Sequence, residues 1–368
     1  MGFKFGFTED IDENSDIDIQ NESINQIFIN PIDQISDNNV PPKFHTLEEL
    51  LQNGCVNSRI TFEPVELSNR IILYRRELFD VRHQLMLEDG SLNKTNGEEF
   101  NILIGETGED LKNGVYEGGL KSWECSFDVI DKLSELKIIE NAMTADDNIN
   151  IIELGCGTSL PSIYILKLIF QQRMKNLNKN NNSKQIVKFI LSDFNYDVLR
   201  LVTLPNILIN WCFTVLSEQE FIELQKRENI DGNIRDGEID LTNDLLAKFS
   251  DWLRNNDIEI NFISGSWCRN FMEIINNKFP EMENQYNIVL TSETIYSPAI
   301  LPVISEMMVE LTYYKGVSIL SAKDIYFGVG GSIVECLQYL QTRPVDVKIT
   351  HVPGNLKRSF LEIKKKLL

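Results

Sequence analysis

The stretch IIELGCGTSLP, residues 151–161, carries an apolar strand into a glycine-rich turn and on toward a helix. Gly155 and Gly157 are small where a ligand must approach the backbone and the positive end of the next helix. A dinucleotide fingerprint needs a third glycine at position 160, where Leu160 stands, so NAD and FAD are disfavoured. A second form of the motif, acidic residue-x-Gly-x-Gly-x-Gly, is met at Glu153, Gly155 and Gly157 and fails only at Ser159. The same glycines would also serve an ordinary strand-to-helix turn, so the surrounding chain decides.

Around that turn, strands alternate with helices. NINIIELG, VKFILSD, IEINFIS, YNIVLTS and GVSILSAK are short apolar runs ending in Gly, Asp, Ser or Lys, the pattern of buried parallel strands. PSIYILKLIFQQRMKN, NYDVLRLVTLPNILINWCF and SPAILPVISEMMVELTYY carry helical periodicity between them. This reads as a doubly wound α/β sheet with its ligand at the carboxyl ends of the strands. After a further helix in GGSIVECLQYL, PVDVKITHV and RSFLEIKKK flank the turn Pro353-Gly354-Asn355 as an antiparallel hairpin. Five parallel strands followed by a late hairpin point to the seven-strand (Rossmann-like) class I S-adenosylmethionine-dependent methyltransferase fold. Asp193 at the end of the second strand agrees with that cofactor.

The expected organisation starts with a disordered acidic arm over 1–42, too poor in apolar residues to offset its ordering entropy. An accessory region over 43–117 follows, with a β-hairpin in Val56–Met86, and then the methyltransferase domain over 118–368. Two insertions decorate that domain: an Asn/Lys loop near 176–185 and a polar, mostly helical stretch over 217–256.

The 368 residues carry a formal net charge of −20, which argues against a broad surface for nucleic acid and suits a basic protein partner. Solubility alone also accounts for negative charge. Cys55, Cys125, Cys156, Cys212, Cys268 and Cys336 form no C-x-x-C pair, and His45, His83 and His351 lack metal spacing. The expectation is no metal and buried, reduced thiols. The N-terminus lacks a secretory pattern, and no run reaches the ~18 apolar residues of a membrane span. Gly6 stands where a myristoylation signal needs Ser or Thr. The chain is placed in the cytoplasm with access to the nucleus, away from membranes.

Several side chains suit the ligand. Asp193 in SDFN can accept two hydrogen bonds from a ribose diol, or equally cap a helix. Trp267 in SGSW follows the third strand, where an adenine ring needs an aromatic lid, although a core tryptophan fits as well. Trp123 in GGLKSWE, behind Gly118 and Gly119, suits a segment that closes over a sulfonium, with cation–π stabilisation of about 1 kcal/mol. The fourth strand runs into TSETIY and sets Ser292, Glu293 and Tyr296 at the rim where a methyl donor would point. Glu293 and Tyr296 share one side if that turn is helical. The fifth strand ends in SAKDIYFGVGG, placing Lys323 at its tip and Tyr326, Phe327 and Gly328 where a substrate segment could enter. Plain turn chemistry explains its glycines as well.

GGLKSWE, IIELGCG, SDFN with the following TLPN, SGSW, TSETIY and AKDIYFGVGG stand in the order found in the eukaryotic protein-histidine methyltransferases. The chain resembles a fungal member acting on a large-subunit ribosomal protein, across Gly118 to Lys366 and at the start MGFKFGF. The resemblance implies S-adenosyl-L-methionine as donor and S-adenosyl-L-homocysteine as product. It implies cofactor contacts at Ser122, Trp123, Glu124, Cys125, Ser126 and Gly155, at Asp193, Phe194 and Asn195, and at Gly265, Ser266, Trp267 and Ser292. It further implies a monomeric protein-histidine N-methyltransferase that modifies the tele nitrogen of a basic ribosomal protein, with a role in ribosome biogenesis or translation. Ser159 departs from the family's third glycine.

In-line methyl transfer asks the protein to align donor and acceptor, without a covalent nucleophile. A neutral imidazole attacks through one nitrogen while the other needs an acceptor; Glu293 is the candidate, with Tyr296 shaping the pocket. Two readings compete. Protein-lysine N-methyltransferases share an acidic-x-x-Tyr pattern at this place, and a non-catalytic binding scaffold could keep the same fold.

Overall fold

The computed structural model describes residues 28–35, 40–92, 98–107, 111–112, 114–144, 147–177, 185–228, 237–354 and 356–366. Its strands in chain order are β1 (Lys43–Thr46), β2 (Ser58–Glu66), β3 (Ile72–Arg76), β4 (Ile149–Leu154), β5 (Val187–Asp193), β6 (Glu238–Leu241), β7 (Ile258–Ser264), β8 (Tyr286–Ser292), β9 (Gly316–Lys323), β10 (Val345–Val352) and β11 (Arg358–Lys365).

All six residues of β4 are buried, as a strand covered on both faces requires. It pairs in parallel with β5 on one side and β8 on the other; β7 continues outward from β5 and β9 from β8. The late hairpin then adds β11 antiparallel to β9, and β10 antiparallel to β11. The order β1-β7-β5-β4-β8-β9-β11-β10 is that of the seven-strand class I methyltransferase fold with one strand added at the β7 edge. Strand order reverses at β4, which opens a crevice at the carboxyl ends.

Alternate residues of the strands feed two cores. Ile151, Phe189 and Phe262 face the helices Glu124–Leu136, Leu160–Leu177, Leu204–Val215 and Asn243–Asn255. Ile152, Ile190 and Val289 face Arg269–Lys278, Leu301–Leu311 and Ile333–Gln341.

Several boundaries differ from the sequence expectation. Within the stretch read as a disordered arm, residues 28–35 are packed: Ile32 is fully buried in the second core, Asn30 donates to Glu310, and Asp33 pairs with Arg269. One buried isoleucine contributes about 2 kcal/mol, which the composition of the arm as a whole conceals. Residues 1–27 and 36–39, the rest of that stretch, lie outside the described residues. The accessory region is joined to the main domain, because β1 extends the central sheet and the β2–β3 hairpin takes β6 as its third strand. The stretch 217–256 is more than decoration, since Leu245, Leu246, Phe249 and Leu253 of the helix Asn243–Asn255 enter the first core. Most of the Asn/Lys loop, 178–184, lies outside the described residues. The segment Tyr196–Val215 holds no unbroken apolar run of that length, yet it is long and on average apolar enough to cross a membrane; 83% of its most apolar window is buried inside the protein.

Candidate functional site

Beyond Leu154 the chain turns through Gly155 and Gly157, at φ +69° and +49°. Space is closed there too: a Cβ on Gly155 would stand 2.8 Å from Thr294 Cγ2, and one on Gly157 3.1 Å from Gly119 O. Ser159 keeps the left-handed conformation of the missing third glycine, at φ +56°. Its hydroxyl donates to Glu153 Oε2 at 3.1 Å, which also accepts from Ser162 N at 3.2 Å and from Ser162 Oγ. Oε2 of Glu153 therefore holds the start of the helix Leu160–Leu177 and supports the turn from behind. Burial pushes the Glu153 carboxyl up to about 7.

Asp193 ends β5 beside this turn. Its Oδ2 accepts from Gly157 N at 3.0 Å and its Oδ1 from Asn195 N at 3.1 Å. The residue preceding the helical turn Tyr196–Val198 is Asn195, so the helix-cap reading of Asp193 falls. Burial pushes Asp193 up to about 6, and the nearby Glu117 carboxylate adds to the rise. Gly119 serves close approach rather than mobility, since a Cβ there would meet Val198 Cγ1 at 2.8 Å and Asp193 Oδ2 at 3.0 Å. The Asn195 side chain is spent on the wall: it donates to Val115 O at 2.8 Å and accepts from Glu117 N at 3.1 Å. Phe194 between them is half-buried. A π-helical turn, Leu199–Thr203, carries Thr203 Oγ1 to Gly157 O at 2.7 Å.

Past the end of β7, Gly265 at φ +105° donates its N–H to Asp193 O and Phe194 O, both at 3.1 Å. Ser266 N donates to Val40 O at 2.9 Å, so this backbone group, expected to serve a ligand, is held by the N-terminal segment. Trp267 stands with its ring 3.5 Å from the Cβ position of Gly155, and its Nε1 is buried without an acceptor among the described residues.

At the end of β8, Ser292 pairs with Ser321 of β9 and Glu293 follows at φ +59°, which breaks the helical turn assumed for TSETIY. The phenol beside Glu293 is consequently Tyr326, not Tyr296: Tyr326 Oη donates to Glu293 Oε2 at 2.6 Å, while Tyr296 packs edge-on to Tyr326 at 6.4 Å. Glu293 Oε1 is buried and receives no hydrogen bond among the described residues. Lys323 Nζ lies 3.6 Å from that oxygen and 3.5 Å from Glu124 Oε2. The same ammonium sits 5.3 Å from the centre of the Trp123 ring, the face expected to meet a sulfonium. Trp123 precedes the helix Glu124–Leu136 and donates Nε1 to Gly118 O at 3.1 Å; Ser122 Oγ lies 2.9 Å from Thr158 Oγ1 of the glycine turn. Beneath them Ser126 donates to Trp123 O at 2.7 Å, and burial, with the charge of Glu293, pushes the Cys125 thiol up. Like Cys125, the other five cysteines are buried, and none of the six forms a disulfide.

No family model matches the chain. Histidine protein methyltransferase 1 of Saccharomyces cerevisiae is 39% identical to it over 384 residues, covering 98% of both chains. The chain belongs to the histidine protein methyltransferase 1 family. The Schizosaccharomyces pombe member is 33% identical over 283 residues, 77% of this chain and 71% of its own length. Among solved structures, an rRNA methylase from Streptococcus thermophilus superposes with a TM-score of 0.30 at 11% identity, over 67% of this chain and 99% of that one; the strand order carries the fold assignment without it. Membership in the histidine protein methyltransferase 1 family makes the chain a methyltransferase. Sequence motifs of this family member marked Gly155, Gly157, Asp193, Gly265, Trp267, Glu293 and Lys323, and the fold brings all seven to one edge of the sheet. They missed Glu117 and the segment Val40–Pro42, whose contacts come from distant parts of the chain, and gave no role to Thr203 of TLPN or Thr294 of TSETIY. Only the consecutive Pro41 and Pro42, which favour extended chain, offered a local sign of that segment.

Proposed function

We propose that this family member transfers a methyl group from S-adenosyl-L-methionine to an imidazole nitrogen, the tele nitrogen, of a histidine in a basic large-subunit ribosomal protein. The observation that carries the reading is Glu293 Oε1, a buried carboxylate oxygen that receives no hydrogen bond among the described residues and has the Lys323 ammonium 3.6 Å away. The nucleoside end fits the donor: Gly155 and Gly157 hold the left-handed turn at the end of the strand, Asp193 would turn its carboxylate to a ribose diol, and Trp267 has an aromatic edge whose indole N–H finds no acceptor among the described residues. Ser122 to Ser126 would close over the methionine end, with Ser292 on the opposite rim. When bound, the sulfonium supplies an electrophilic methyl group.

Glu293 Oε1 would accept the N–H of the pros nitrogen of the target ring, aiming the tele nitrogen into the crevice. As the ring becomes cationic, the carboxylate stabilises it and takes up the pros proton, leaving a neutral methylated imidazole. Tyr326 steadies the other carboxylate oxygen, and Lys323 with Trp123 shields it from water. Phe327, 86% exposed, and Gly328 would meet the incoming protein chain. The net charge of −20 supports a basic partner, which long-range attraction would recruit. We place the enzyme, as a monomer, in the cytoplasm and nucleus, where ribosomal proteins are made and assembled, with a role in ribosome biogenesis or translation.

Mass spectrometry of a ribosomal fraction incubated with enzyme and labelled donor tests the acceptor, and Glu293→Gln tests the mechanism. The variant is expected to lose about 100-fold in kcat with unchanged binding of S-adenosylhomocysteine. A wild-type rate in the variant removes the role of Glu293. Methyl-lysine as the product replaces histidine with lysine, and no binding of S-adenosylhomocysteine by the wild-type chain leaves a scaffold.

A further inference from the structure

Three turns build the nucleoside end of the crevice, and one N-terminal segment touches two of them and the π-helical turn that holds the third. Val40 O accepts from Ser266 N at 2.9 Å, and a Cβ on Gly265 would stand 2.7 Å from Pro41 O. β1 then runs antiparallel to β7, with Lys43 opposite Ser264. His45 is buried and reaches along the pair: its Nε2 lies 2.8 Å from Ser264 Oγ and its Nδ1 2.9 Å from Glu49 Oε1. The same ring lies 4.7 Å from that of Tyr196, which follows Asp193 and Asn195 in the turn after β5. The helix Leu47–Gly54 completes the contact. Asn53 Nδ2 donates to Tyr196 Oη at 3.0 Å, and a Cβ on Gly54 would come within 2.4 Å of Arg200 O. Arg200 belongs to the π-helical turn whose Thr203 holds Gly157 O.

We infer that residues 40–54 brace the cofactor crevice, and that His45 is a positioning residue which sets cofactor affinity through Ser264 and Tyr196. The inference rests on the reading of the crevice as a site for S-adenosylmethionine. With Nδ1–H donating to the Glu49 carboxylate, Nε2 can accept from Ser264 Oγ. A single imidazole thereby ties the turn after β5 to the turn after β7. Two loops that leave separate strands lose freedom when a ligand bridges them, and a link made beforehand reduces that loss. Simple protection of the β7 edge requires only backbone pairing, without a buried imidazole joined to both turns. A histidine that merely satisfies the core would affect stability and leave affinity alone.

Calorimetric titration of S-adenosylhomocysteine into the full-length wild type, His45→Ala, Ser264→Ala and the double variant separates these cases. Thermal unfolding and steady-state kinetics at saturating protein substrate are measured alongside. Each single variant is expected to raise Kd, and KM for the donor, at least about tenfold while kcat stays within about twofold. The double variant is expected to be no weaker than His45→Ala, because both changes remove one shared bond. His45→Gln, whose amide oxygen can accept from Ser264, is expected to recover most of the affinity. An unchanged Kd with a lowered Tm overturns the inference, as does a loss of kcat in step with the folded fraction. Failure of the wild-type chain to bind S-adenosylhomocysteine overturns the cofactor assignment beneath it.

Discussion

Two buried carboxyls give the site its pH behaviour. Asp193 is held up to about 6, yet it can accept from a ribose diol only as a carboxylate. Affinity for S-adenosylhomocysteine is therefore expected to fall as pH drops below about 6, approaching tenfold per unit, with proton release on binding. Calorimetry in buffers of different ionisation enthalpy reads both, and a flat affinity between about pH 5 and 8 would refute it. Glu153 rises from its ordinary value of 4.5 to about 7, so the folded chain binds its proton more tightly than the unfolded chain. Its contribution is most favourable below the unfolded value and is lost as pH rises toward about 7, a change on the order of a few kcal/mol. Glu153→Gln is expected to flatten that part of the stability-versus-pH curve measured by denaturant unfolding of the ligand-free chain. Ser159 allows a sharper comparison: Ser159→Ala keeps the left-handed strain and loses the bond to Glu153, whereas Ser159→Gly loses the bond and relieves the strain. The alanine variant is expected to be the less stable of the two by about 1 kcal/mol in the same assay. At this scale the glycines and Asp193 were legible because their chemistry follows directly from the ends of strands. The pairing of Glu293 with Tyr326 was not, because local spacing favoured Tyr296 and the positive φ at Glu293 defeats it.

Among the elements, the loop that carries Tyr326 is built by backbone bonds. Tyr326 N donates to Gly331 O at 2.9 Å, Gly330 N to Tyr326 O at 2.9 Å, and Gly331 N to Tyr296 O at 3.0 Å. A Cβ on Gly331 would lie 1.9 Å from Ile295 O, while one on Gly328 would meet nothing within 4 Å. Gly331→Ala is therefore expected to displace Tyr326 from Glu293 and to lower kcat/KM by about 100-fold; Gly328→Ala, strained but unobstructed, is expected to lose under about tenfold. Steady-state kinetics of the two variants on one substrate preparation decides it; equal losses would mean the close approach at Gly331 does not matter. The five parallel strands and the C-terminal hairpin were legible from apolar runs and turn residues. The short strands β1 and β6 were not, since four residues carry little periodicity and both find partners far away in the chain. The stretch holding the helix Asn243–Asn255 was read as helical, but its polar face hid the buried leucines that carry it into the core.

For the molecule as a whole, the net charge of −20 favours encounter with a basic protein over long range. kcat/KM on such a substrate is expected to fall several-fold between about 50 and 300 mM salt while kcat holds. Initial rates across a salt series check this, and insensitivity would assign the charge to solubility alone. Composition and order of motifs were enough to recognise the fold and the family, because both depend on patterns repeated along the chain. How residues 28–35 and 40–76 lock onto the core was not visible, because that lock is made by pairings between distant segments. This has a consequence for synthesis. A ribosome releases β1 and β2 well before β7 and β6, the strands they pair with, and at roughly 5–20 residues per second the interval lasts on the order of 10–40 seconds. Throughout that interval β1 and β2 wait for partners still to be made, so the emerging chain carries open strand edges until β6 and β7 arrive.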